Sequence, residues 1–188
     1  MNMKKCIGAI GLFLLGWKVD FKNIKNANGI IIGAPHTSNW DMPIGLFFIW
    51  RTGIKTKFLI KEYYTKSFFG FLFKWLGAIG VKRGEGIDNS SLIEDINTYL
   101  NSKKNAVIAI APEGTRKRVE KWKTGFYRIA KKANKPVCLG YADYKKKIIG
   151  IGPIIKLTDS VEHDMTLIEE FYRDITPKNP DNFNPKIF

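Results

Sequence analysis

The chain is poor in the residues that build metal centres and disulfide frameworks. Of its 188 residues, two are cysteine and two are histidine. Cys6 and Cys138 lie far apart, and none of the four stands at ligand spacing, which argues against a structural zinc site. Nothing resembles the cysteine-dense pattern of a small secreted scaffold. No Gly-x-Ser-x-Gly elbow is present, so the sequence offers no serine nucleophile of that kind. Internal repeats and low-complexity linkers are also lacking. No apolar run reaches the ~20 residues that a membrane-spanning helix needs. Acidic residues are scarce, with 17 against 31 Lys and Arg, for a net charge of +14.

That charge implies an anionic partner: nucleic acid, an acidic membrane surface, or phosphorylated and carrier-bound substrates. No helix-turn-helix, RNP-like or zinc motif supports nucleic acid, which is not expected as a partner, and a basic nucleic-acid-binding protein is the alternative reading that the charge alone would give. An aromatic content of 13% beside so many cations suits either nucleic acid or a lipid interface. A hydrophobic content of 45% indicates a folded chain, and its length suits one domain.

The first segment runs from Met3-Lys4-Lys5 through an apolar stretch, Cys6 to Trp17. It has no small-x-small cleavage site and is too short to span a bilayer. Ile7, Ile10, Leu14 and Trp17 share one helical face. This predicts an interfacial helix with Lys4, Lys5 and Lys18 at headgroup level; a first helix packed on the core fits the pattern as well. The expected division is this helix over 1–20, a main domain over 21–176, and an irregular Pro/Asn-rich tail over 177–188.

Downstream, strand and helix patterns alternate. Strands are predicted at Gly29–Ala34, Thr56–Ile60, Ala78–Lys82, Ala106–Ala111, Val137–Tyr141, Ile148–Ile151 and Pro153–Leu157. Helices are predicted at Asn39–Arg51, Thr65–Leu76, a stretch opened by a Ser91-x-x-Glu94 capping box and ending near Leu100, and Thr124 to Asn134. The pattern implies an α/β fold: a mostly parallel sheet of about seven strands, flanked by helices. In such sheets the chemistry lies beyond the carboxyl ends of the strands.

Two strand ends carry candidate chemistry. After Gly29–Ala34 come His36 and Asp41, five positions apart. An imidazole beside a carboxylate suits a general base whose tautomer is fixed by its partner. The same pair would also serve as a helix cap. With no protein nucleophile in view, the base would activate a hydroxyl of the substrate. After Ala106–Ala111 come Glu113, Gly114 and Arg116; Arg116 can grip a phosphate in a fork, Gly114 permits close backbone approach, and Glu113 is expected to orient its arginine neighbours. Lys61 and Arg83, at two further strand ends, are additional phosphate candidates. Two aromatic segments, Met42–Trp50 and Phe68–Leu76, are apolar on nearly all faces. They could wall an acyl chain, and the second is expected to touch a membrane.

His36-x4-Asp41, then Gly77-x-Ile79-x-x-x-Arg83, then Pro112-Glu113-Gly114-Thr115-Arg116, with a looser Pro136-Val137, resemble in order and spacing the blocks of the glycerolipid acyltransferase family, the lysophosphatidate acyltransferases among them. Pro35, Ala111 and Lys117 depart from that pattern. The resemblance implies His36 as general base, Asp41 as its partner, and Lys61, Arg83, Glu113, Gly114, Thr115 and Arg116 around the acceptor. It implies acyl-CoA or acyl carrier protein as co-substrate, with no metal and no cofactor. The acceptor would be a lysophospholipid, first of all 1-acyl-glycerol-3-phosphate, with another lyso-lipid such as a lyso-aminolipid as the alternative. The expected location is the cytoplasmic face of an anionic cell membrane, held peripherally or monotopically.

Overall fold

Ile30, Ile31 and Ile32 show how the layers are built. In a strand, neighbouring side chains point to opposite faces. Ile30 and Ile32 enter one hydrophobic core, and Ile31 enters a second. The sheet is therefore buried on both sides, as an α/β fold requires. In the computed structural model, residues 2–82, 88–103 and 105–188 are described.

Seven strands form one sheet: β1 (Lys18–Asp20), β2 (Gly29–Gly33), β3 (Thr56–Lys61), β4 (Ala78–Val81), β5 (Val107–Ile110), β6 (Val137–Asp143) and β7 (Ile148–Ile155). Their order is β1-β7-β6-β2-β5-β3-β4. Every pairing is parallel except β6 with β7. The helices are α1 (Met3–Leu14), α2 (Asp41–Thr52), α3 (Glu62–Lys66), α4 (Gly70–Trp75), α5 (Ser90–Ser102), α6 (Gly125–Ala133) and α7 (Val161–Arg173). α5, α6 and α7 bury Ile96, Leu100, Phe126, Met165 and Ile168 on the Ile30 face. Leu12 of α1 with Ile44 and Phe48 of α2 cover the Ile31 face. This is a single α/β domain with a mostly parallel sheet and an N-terminal helix, as the pattern predicts.

Several local expectations are corrected. Thr65–Leu76 is not one helix: α3 ends at Lys66, Ser67 turns extended, and α4 begins at Gly70, which sits so close to the Thr65 carbonyl that a side chain there would collide with it. The capping box does not form: Asp88 accepts from the Ser90 amide, and Glu94 pairs with Lys132 across to α6. Ile148–Ile151 and Pro153–Leu157 merge into β7, since β1 covers only Ile148–Gly150 and leaves Pro153 on an open edge, where its missing N–H costs nothing. β1 and α7 are absent from the pattern-based reading. The tail is irregular apart from a short turn at Pro180–Asn182, yet it packs closely, with Ile187 fully buried.

α1 is packed on the domain by one side and open on the other. One side packs on α2 so tightly that a Cβ at Gly8 would lie 2.5 Å from the Phe47 carbonyl oxygen. The other side leaves Ile7, Ile10, Phe13 and Leu14 exposed. Trp17 does not share that face; it is buried beyond the helix end. Cys6 and Cys138 are both free thiols. No helix among the described residues is long and apolar enough to cross a membrane.

Candidate active site

β2 and β5 are adjacent and parallel, so the segments leaving their carboxyl ends meet. The chain leaving β2 carries His36, and the chain leaving β5 carries Glu113. The His36 amide donates to Glu113 Oε1 at 2.8 Å, tying the two loops together.

Asp41 opens α2, where the positive end of the helix favours an acid. Its carboxylate collects four donors among the described residues. Oδ2 accepts from the Thr37 and Ser38 amides at 2.9 and 2.8 Å and lies 3.1 Å from His36 Nδ1. Oδ1 accepts from the Tyr144 hydroxyl at 2.6 Å. With Nδ1–H directed at a carboxylate, the neutral imidazole keeps its lone pair on Nε2. His36 is a quarter exposed and faces a cavity of about 260 Å³ between α2 and the sheet. Met42, Gly45, Leu46 and Ile49 line that cavity along α2, and Phe58 and Ile110 line it from the sheet. A side chain at Gly45 would meet no atom within 4 Å, so the missing Cβ keeps this space open. The arrangement provides a hydrogen-bonded imidazole at an apolar cavity, which can take a proton from a group placed there.

Glu113 does not orient its arginine neighbours. It turns inward and is 5% exposed. Burial, only partly offset by the bond from the His36 amide, pushes its carboxyl up to about 7. Its Oε2 has no hydrogen-bond partner among the described residues. Gly114 makes the turn at φ 67°, a conformation that suits glycine, and its amide reaches the Ala111 carbonyl. Thr115 and Arg116 are exposed, and the Thr115 hydroxyl accepts from the Lys117 amide. Arg116 Nε donates to Asn39 Oδ1 at 2.6 Å, which brings the guanidinium to the His36 loop, and its terminal nitrogens have no hydrogen-bond partner among the described residues. Lys61 ends β3, exposed and one strand beyond β5. Arg83 lies outside the described residues. No group of His, Cys, Asp and Glu among the described residues could hold a metal ion.

Two contacts escaped the sequence reading. Tyr144 stands in a lysine-rich turn, where nothing marks it as a partner of Asp41. Asn179, in the tail, donates its amide to the Thr37 hydroxyl and its side chain to the Thr37 carbonyl. The same tail accepts from Arg118 and Trp122 through the Phe183 and Ile187 carbonyls, so it straps the loops from both strand ends.

No curated protein matches the chain. A family model described as Acyltransferase does match it, over residues 18–142. That stretch is well over half of the sequence and contains both strand ends, from His36 and Asp41 to Glu113 and Arg116, and on this match the chain belongs to the Acyltransferase family.

Proposed function

We propose that the protein transfers a fatty acyl group from acyl-CoA or acyl carrier protein to the free hydroxyl of a lysophospholipid, with 1-acyl-glycerol-3-phosphate as the first candidate and phosphatidate as the product. One observation carries the reading: the His36–Asp41 pair opens onto an apolar cavity wide enough for part of an acyl chain. His36 Nε2 takes the hydroxyl proton as the oxygen attacks the thioester carbonyl. The tetrahedral intermediate then collapses, the C–S bond breaks, and the imidazolium returns the proton to the leaving thiolate. Asp41 holds the imidazole throughout. Arg116, with Arg83 and Lys61, serves the acceptor phosphate, while Gly114 and Thr115 shape its loop.

A panel of lyso-acceptors, lyso-aminolipids included, offered with acyl-CoA and with acyl carrier protein and read by mass spectrometry, tests the reading. Absence of product with every acceptor would overturn it. Arg116→Ala is expected to raise the KM for a phosphate-bearing acceptor roughly tenfold or more, the scale of a lost bond to a charged group, with little change in kcat. An unchanged KM would remove Arg116 from the phosphate site.

The same reading places the protein on the cytoplasmic face of an anionic membrane. Phe13 and Leu14 of α1 and Phe68, Phe71 and Trp75 around α4 are exposed, beyond what a water-facing surface ordinarily carries. Lys4 lies 4.2 Å over the Trp75 ring, so the two segments adjoin. Phe13→Glu with Phe71→Glu should weaken flotation with vesicles containing anionic lipid by about tenfold or more. Undiminished flotation would move the docking surface elsewhere.

A further inference from the structure

Asp41 can hold His36 only if its own carboxylate is held, and the second oxygen is where a group outside the family match enters. Tyr144 lies beyond residue 142, in the turn between β6 and β7, and its hydroxyl donates to Asp41 Oδ1 at 2.6 Å. We propose that Tyr144 is a positioning residue for acyl transfer, its hydroxyl locking the Asp41 carboxylate in the orientation that holds the His36 imidazole. The inference rests on His36 being the base.

The tyrosine is itself well fixed. Its ring meets the edge of the buried Trp17, with centroids 4.9 Å apart and planes at 89°. Lys147 Nζ stands 5.8 Å from the ring centre, and the Tyr144 amide donates to the Thr176 carbonyl at 2.8 Å. The hydroxyl therefore reaches Asp41 from a side chain restrained at its ring and its backbone. A short bond from a neutral donor to a carboxylate is charge-assisted, stronger than a bond between neutral groups. Burial, and then the bond to Asp41, hold the phenol far above its ordinary range, so it remains a donor wherever the enzyme works. The three remaining donors all crowd onto Oδ2. Without Tyr144, Oδ1 loses its one donor among the described residues and the carboxylate can rotate about its χ2 angle, which is a soft torsion.

Tyr144→Phe in the full chain removes one oxygen and keeps the ring on Trp17. With 1-acyl-glycerol-3-phosphate and palmitoyl-CoA, kcat is expected to fall roughly tenfold to a hundredfold, the scale of a lost bond to a charged group, with both KM values within about twofold. In an Asp41→Asn background the same change should have little further effect. A second measurement needs no substrate. Only two histidines exist, so in ¹⁵N-histidine-labelled protein the His36 Nδ1–H signal should move in Tyr144→Phe while the His163 signals stay put. A kcat within twofold of the parent, or an unmoved His36 signal, overturns the proposal. The base assignment fails separately: an active His36→Ala variant sinks that reading, whereas an inactive one beside an unaffected Tyr144→Phe sinks the tyrosine's role alone.

Discussion

His36→Ala is expected to lower turnover by ~10²–10⁴-fold, the range a positioned general base contributes. The fold should survive. The His36 amide, which ties its loop to Glu113, is backbone and remains in the variant. Asp41 keeps the Thr37, Ser38 and Tyr144 donors and loses one of four. The imidazole itself is partly exposed and leaves no sealed cavity. Mass-spectrometric rates with a thermal melt on the same preparation separate lost chemistry from lost structure. His163→Ala, an exposed change in the first turn of α7, is the matching control. Turnover within tenfold of the parent would show that His36 is not the base.

The second large effect is on stability. Glu113→Gln should change how the protein responds to pH. Between its ordinary value of 4.5 and about 7, the folded chain keeps a proton on Glu113 that the unfolded chain has released. Each rise in pH across that window therefore favours unfolding, and above it the loss is complete. For a shift of this size the contribution is on the order of 3 kcal/mol. Glutamine mimics the protonated acid, and its carbonyl can still accept from the His36 amide. The variant should gain on the parent as pH rises from about 5 to 8, then hold a constant margin. His36, Asp41 and Tyr172 face the same carboxylate; His36 opposes the upward shift, the negative charge of Asp41 adds to it, and the Tyr172 hydroxyl is spent on the Ile32 and Gly140 carbonyls. Urea unfolding of both proteins at several pH values measures the difference. A margin that does not vary with pH would show that Glu113 is charged in the folded state throughout.

The layers and the strand ends could be read from the sequence because they depend on local pattern. Runs such as Ile30-Ile31-Ile32 declare a buried strand, and the sheet rule carries His36 and Glu113 to one edge. α7 escaped because its mean hydropathy is low: Met165, Ile168 and Tyr172 do recur at helical spacing, but between charged residues. The inward turn of Glu113 was illegible for another reason. Whether a carboxylate meets arginines or a backbone amide is settled by the facing strand, 77 positions away. Tyr144 and Asn179 share that difficulty, since each contacts the site across more than a hundred residues of chain.

Those distances impose an order in time. During synthesis α1, with its exposed Ile10, Phe13 and Leu14, leaves the ribosome ahead of the sheet. The His36 loop follows, and its fastenings come well after it: Tyr144 near the end of the sheet, and Asn179 beyond α7. At ~5–20 residues per second, the His36 loop spends several seconds outside the ribosome before its strap exists. On this schedule the candidate site is the last part of the domain to be assembled, after the sheet that carries it.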